Sequence, residues 1–241
     1  WGTKTVNAGW IATFADIAVI SENRLTVVSP EIDDHFVALL ADTITTGFGI
    51  VNNDAHVKIG ESFVIFGAGG IGMGAILGAK LAGAYPIIAV DLFEHKLLNA
   101  KKVGAHYAIN ANASNYVEEI ENILKGKADV VADGTGNPGV IETCYDLTKP
   151  QGRTILYGVM PHEKKVSIHT LPLHFGKVLT GSVGGSSMPA SDIPRYIRMY
   201  QNRLFEIDSF VTHTGSLEQV NDLIAKMRFG EVSHAMIENS L

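Results

Sequence analysis

One cysteine, Cys144, stands in 241 residues. No intramolecular disulfide framework can therefore brace this chain, and such usage fits a reducing compartment. Basic residues are also in short supply: 19 Lys and Arg face 25 Asp and Glu, for a formal charge of −6. Nucleic acid is disfavoured as a partner, because neutralising phosphates takes clustered Lys and Arg. The apolar segments are strand-length and interrupted, so none reads as a membrane span. No secretory h-region opens the chain, and a cytoplasmic location is the expectation. Repeats and low-complexity tracts are missing as well. The first residue is Trp1 and not Met, from which the numbered chain is expected to begin inside a longer protein or after trimmed disorder. What remains is ordinary for a globular protein with a sizeable core: 46% hydrophobic and 18% charged residues. That length holds one large domain, or one domain and part of a second.

The densest signal is Phe63-Val-Ile-Phe-Gly67-Ala-Gly69-Gly70-Ile71-Gly72, with Asp91 nineteen positions past Gly72. An apolar run rich in β-formers enters a Gly-x-Gly-x-x-Gly turn, a small-residue helix pattern follows, and the run Ile87-Ile-Ala-Val90 ends in the acid. In a βαβ unit each piece has a use for a dinucleotide. Gly67 allows the tight turn, Gly69 lets backbone approach the pyrophosphate, and Gly72 lets the helix pack close to the strand. The helix N-terminus offers free N–H groups to phosphate. Asp91 would accept hydrogen bonds from the adenosine ribose and repel a 2′-phosphate, which favours NAD over NADP. A Gly-rich loop used only for close packing is the competing reading.

Around this unit, strands are expected at 62–66, 86–90, 106–109, 128–132, 153–158 and 178–183, with helices at 71–83, 93–103, 114–125 and 138–147. Ser114 reads as the N-cap of the third of these helices, and Lys149-Pro-Gln-Gly152 as a turn opening a strand. Strands alternating with helices imply an α/β doubly wound parallel sheet of six strands. The connection from 158 to 178 looks irregular. Upstream, 13–20 reads as a half-buried strand, 24–28 as a shorter one, and Asp33 or Asp34 caps a helix. A helix runs through Ile44, Phe48, Ile50 and Val51. Downstream, helices are expected at 189–202 and 216–229, and a short strand at 235–238.

Together these residues resemble the medium-chain, zinc-dependent alcohol dehydrogenases over nearly the whole chain. Thr13-Phe-Ala-Asp-Ile-Ala-Val is similar to the strand that closes the family's first catalytic segment, and Ala41-Asp-Thr-Ile-Thr-Thr-Gly-Phe-Gly49 to the element carrying its last catalytic metal ligand. The Gly67–Gly72 turn, Gly134-Thr-Gly-Asn137, Gly158-Val-Met-Pro161 and Gly181-Ser-Val-Gly-Gly185 fall in family order. The resemblance implies a Rossmann NAD domain at 45–185. Flanking it would be remnants of a GroES-like catalytic domain, at 1–44 and 186–241.

By position, the resemblance makes Asp42 a zinc ligand, although as a residue it reads also as a helix-start acid facing backbone N–H groups. Thr46 is implied to lie against the nicotinamide, Ile71 behind the ring, and Lys96 near the adenosine ribose. Gly134 and Thr135 would line the adenine cleft, and Gly158 and Val159 would approach the nicotinamide. Gly70 belongs to the pyrophosphate turn. His234 stands where many members carry an Arg, and a histidine there is only partly charged near neutral pH. The family's other zinc ligands and its proton-relay hydroxyl would precede Trp1, so the chain alone is expected not to turn over alcohols. Cys144 reads as a buried helix residue.

The expected function is an NAD-dependent alcohol or polyol dehydrogenase, zinc-assisted, acting on a small alcohol or carbonyl compound. A zinc-free quinone or enoyl reductase, an S-adenosylmethionine methyltransferase and a non-catalytic NAD-binding domain remain as alternatives. The bare edge strand at 178–184 is expected to pair across a two-fold axis into a homodimer.

Overall fold

Unbroken apolar runs make strands that are buried on both faces, and such strands belong in parallel sheets covered by helices. A computed structural model of the chain describes residues 13–15, 17–232 and 234–238. Its main sheet consists of Phe63–Phe66 (β1), Ile87–Asp91 (β2), Tyr107–Asn110 (β3), Ala128–Asp133 (β4), Thr148–Leu156 (β5) and Val178–Gly181 (β6). All neighbours pair in parallel, in the order β3-β2-β1-β4-β5-β6. The helices are Asp34–Leu40 (α1), Thr43–Gly49 (α2), Gly70–Leu81 (α3), Glu94–Val103 (α4), Tyr116–Leu124 (α5), Pro138–Leu147 (α6), Pro189–Gln201 (α7) and Val220–Arg228 (α8). His213–Gly215 (β7) and Ala235–Ile237 (β8) pair separately.

Alternation along the strands sorts the core into two layers. Phe63 and Ile65 of β1 join Ile87, Ala89 and Val130 on one face, under α1, α2, α3 and α7. Val64 and Phe66 join Ile88, Val90 and Val131 on the other, with Ile120 of α5 and Cys144 of α6. An aromatic cluster ties the early helices to the late ones. Phe36 stacks on Tyr200 at 4.0 Å between centroids, and Phe48 meets Tyr196 edge-on at 4.9 Å. The side chain of Asp33 accepts the Phe36 N–H at 2.9 Å and so starts α1 as its sequence predicts.

Helix α3 is buried nearly all round, which suits its small residues. Glycines on facing sides of α2 and α3 let the two backbones touch: a β-carbon at Gly74 would overlap the Thr43 carbonyl, and one at Gly47 would overlap α3 backbone. This contact sets the start of α2 beside the start of α3.

Several expectations are corrected. Residues 13–20 and 24–28 form no strand among the described residues, with residue 16 outside them. A strand needs a ladder partner, and none pairs with these segments; Ile17, Val19 and Val27 stand exposed, and Glu22–Arg24 winds into a 3-10 turn. Ser114 does not cap α5: a turn closed by Tyr116 N–H on the Ala113 carbonyl holds it outside, and Asn115 takes the N-cap position. Strand β5 begins at Thr148 because the Lys149–Gly152 turn is a bulge inside the strand, with Gln151 at φ +64°. It ends at Leu156, where Tyr157 and Gly158 both donate to the Asp133 carbonyl and peel away from the ladder. Helix α2 continues as a π turn over Ile50–Asp54. The expected helix at 216–229 opens as a 3-10 turn with a Ser216–Gln219 capping box before α8.

Candidate cofactor site

The strand order reverses between β1 and β4, so the loops leaving their carboxyl ends diverge and open a crevice. A cleft of about 710 Å³ lies there, within the range of cofactor pockets. Its lining brings together Asp42, Gly67, Gly69, Gly70, Ile71, Gly72, Asp91, Lys96, Gly134, Thr135, Gly158 and Val159, residues drawn from five separate stretches of sequence.

The floor is the glycine turn. Gly67 sits at φ +98°, a conformation few other residues adopt without strain. A β-carbon at Gly72 would collide with the Gly67 carbonyl, so α3 packs directly on the end of β1. Gly69 differs: a β-carbon there would meet nothing within 4 Å. The space above it opens into the cleft. No side chain caps α3, which leaves the first-turn N–H groups free for an anion.

Asp91 ends β2 with its carboxylate accepting the Ala68 N–H at 2.8 Å and the Phe93 N–H at 3.1 Å. These bonds use one lone pair on each oxygen and leave acceptor capacity for a ligand hydroxyl. Across the cleft, Asp133 is wholly buried. One of its oxygens accepts the Thr135 N–H at 3.1 Å and the Thr135 hydroxyl at 2.6 Å, and the other accepts the Gly136 N–H at 3.0 Å. This carboxylate shapes the loop after β4. Tyr157 donates its hydroxyl to the Gly67 carbonyl at 3.2 Å, and burial, then the charge of Asp133, pushes its pKa far above the ordinary phenol value. It is a neutral strut, and its ring fills the space a side chain at Gly134 would need.

At the other end, Asp42 lines the cleft and accepts the Thr46 hydroxyl at 2.5 Å. It therefore makes a side-chain bond to Thr46, with no side-chain cap bond to the helix backbone. Thr46 itself is 7% exposed and lies outside the lining, where Thr43 stands instead. His234 enters from the C-terminal segment with its ring against Gly70. Burial lowers its pKa, opposed by the charge of Asp42, so it is mostly neutral near pH 7. Lys96 holds its ammonium 4.8 Å from the centroid of the Phe93 ring.

Sequence reasoning missed Asp133, Tyr157, Phe93, Thr43 and Met227. Asp133 had a readable signal, since Asp-Gly-Thr-Gly is a string that forms Asx turns. The others are at the cleft because of tertiary packing. The described residues fit a dinucleotide: an open glycine cradle, free N–H groups and an acid at the end of β2 with acceptor capacity to spare. They do not by themselves fit a zinc centre. Among them no three His, Cys, Asp or Glu side chains gather, and zinc takes at least three protein ligands. No helix among the described residues is long and apolar enough to cross a membrane.

The model of the zinc-binding dehydrogenase family matches residues 70–202. An S-(hydroxymethyl)glutathione dehydrogenase of Paracoccus denitrificans is 33% identical over 98% of this chain and 65% of its own length. An alcohol dehydrogenase class-3 of Cereibacter sphaeroides is 32% identical over 98% and 65%. The crystal structure of benzyl alcohol dehydrogenase from Acinetobacter calcoaceticus superposes with a TM-score of 0.85 at 30% identity, covering 92% of this chain and 62% of that one. The chain thus spans about 65% of the length of the curated relatives it matches.

Proposed function

Because this chain belongs to the zinc-binding dehydrogenase family, we propose that its cleft binds NAD and that the protein is an NAD-dependent alcohol or polyol dehydrogenase. The observation that carries the reading is the pairing of an open glycine cradle at Gly69 with the Asp91 carboxylate on one cleft. Bound NAD supplies the carbon that exchanges hydride with the substrate. The chain's own part is to hold it. Gly69, Gly70 and the α3 N-terminus take the pyrophosphate, with the His234 ring beside them as a hydrogen-bond donor. Asp91 takes the adenosine ribose, Lys96 lies at the same end, and Gly134 and Thr135 flank the adenine. Ile71, Gly158 and Val159 form the wall toward the nicotinamide, with Asp42 and Thr43 beside them on the cleft; Thr46 stands behind that wall, its hydroxyl bonded to Asp42.

The substrate class is a small alcohol or its carbonyl product. Asp42 is offered as one zinc ligand, with zinc bound only if further ligands are supplied from outside the described residues. Residues 45–185 serve as the cofactor domain, and 1–44 and 186–241 as pieces of a GroES-like catalytic domain. The exposed apolar side chains of Phe14, Ile17, Val19 and Val27 support this division, since they want a partner surface. A cytoplasmic homodimer joined through 178–184 completes the reading.

The test is a fluorescence titration of the chain with NADH. Wild type should bind saturably. Gly69→Ala should keep its unfolding midpoint, because the added methyl meets no protein atom, yet weaken NADH at least tenfold by filling the cradle. Undiminished binding by Gly69→Ala, or none by wild type, would remove the reading.

A further inference from the structure

Phe93 belongs to neither the glycine turn nor the acid position, yet three parts of the molecule fix it. Its N–H donates to Asp91 at 3.1 Å. Its carbonyl accepts the N–H groups of Lys96 at 3.1 Å and Leu97 at 3.2 Å, making it the N-cap of α4. Its ring lies against Gly230, so closely that a β-carbon there would fall within ring-atom contact distance. Gly230 also stands at φ +75°, so glycine is required twice over. The ring is thus seated on the turn that follows α8, although 36% of the residue remains exposed.

The Lys96 ammonium lies over that ring, 4.8 Å from its centroid. Among the described residues Lys96 is the only Lys or Arg that lines the cleft. A dinucleotide with a 2′-phosphate would bring about two further negative charges to the Asp91 carboxylate. Only a nearby cation could offset that repulsion. The cation exists, five residues past Asp91 and three past Phe93, but the aromatic face holds it. At an exposed site that attraction is worth a factor of roughly two to five in where the ammonium spends its time.

We propose that Phe93, by holding Lys96 over its ring, is a specificity-determining residue that sets the preference for NAD over NADP at this site. The inference rests on the reading that the cleft takes a nicotinamide dinucleotide. It assigns the choice to a pair, the Asp91 acid and the Phe93 ring, and not to the acid alone. Phe93 acts on Lys96, so it is a positioning residue for that charge as well as a wall of the cleft.

The experiment compares binding of NADH and NADPH to the chain by nicotinamide fluorescence, reading the ratio of the two dissociation constants. Phe93→Leu keeps an apolar wall and the N-cap backbone while removing the aromatic face. In it the NADPH-to-NADH ratio should fall about fivefold. Phe93→Ala should lower it at least as far, with weaker NADH binding from the lost wall. Adding Lys96→Met to Phe93→Leu should restore the wild-type ratio, because the released charge is gone. An unchanged ratio in Phe93→Leu, with wild type still binding NADH, overturns this inference alone, as does a fall that persists in the double variant. A wild-type chain that binds neither nucleotide overturns the underlying reading and this inference with it.

Discussion

His234 reaches the cleft from the C-terminal segment, where it faces the glycine turn at Gly70. Burial holds its pKa below the ordinary value, with Asp42 pulling the other way. A histidine with a depressed folded pKa adds stability that is present above its unfolded value and is lost as pH falls through the folded one. A bound pyrophosphate favours the charged ring and reverses that balance for the complex. NADH affinity should therefore rise as pH is lowered from 8 to 6. His234→Gln should flatten that dependence, while His234→Arg should bind roughly tenfold tighter at pH 8, in line with a charge-assisted hydrogen bond. Titrations with NADH across that range check all three, and a wild-type profile as flat as that of His234→Gln would place the ring away from the phosphates. The position of His234 could be aligned from sequence, but its depressed basicity could not, since that depends on what is packed around it.

At the scale of elements, the loop after β4 shows how one side chain can shape a binding surface. Asp133 satisfies two backbone N–H groups and a hydroxyl from within the core. Asp133→Ala should cost about 3 kcal/mol in urea unfolding, because those donors lose their acceptor. Asp133→Asn keeps one accepting oxygen and should cost less. Equal losses would mean that the carboxylate acts by charge and not by its acceptors. The β1-turn-α3-β2 element was legible down to the positive φ of Gly67 and the close helix at Gly72, because its requirements are local: a tight turn, a close helix and an acid at a strand end. The segments at 13–20 and 24–28 were not, because alternation marks a strand only when a neighbour completes the ladder. The bulge at Lys149–Gly152 was readable as turn chemistry, but its place inside β5 follows from the pairing of Ala128 with Thr148.

At the scale of the whole molecule, β6 is the last strand of the sheet, with Val178 exposed at its start and Val183 exposed just past its end. An apolar edge of this kind invites pairing with a second copy. Light scattering at micromolar concentration should report a dimer, and Val178→Lys with Val183→Lys should yield a monomer. A wild-type monomer at that concentration would count against the edge as an interface. The sequence by itself determined the parallel α/β sheet, the glycine turn, the acid at Asp91 and the order of strands and helices within the main sheet, because each is written in local periodicity or in one residue's conformational needs. Only the tertiary structure decided that Thr46 turns to Asp42 while Thr43 faces the cleft, that Tyr157 and Asp133 brace the loops, and that the Phe93 ring rests on Gly230. Those contacts join residues far apart in the chain, or depend on which face of a helix is turned inward, and close packing between elements settles both.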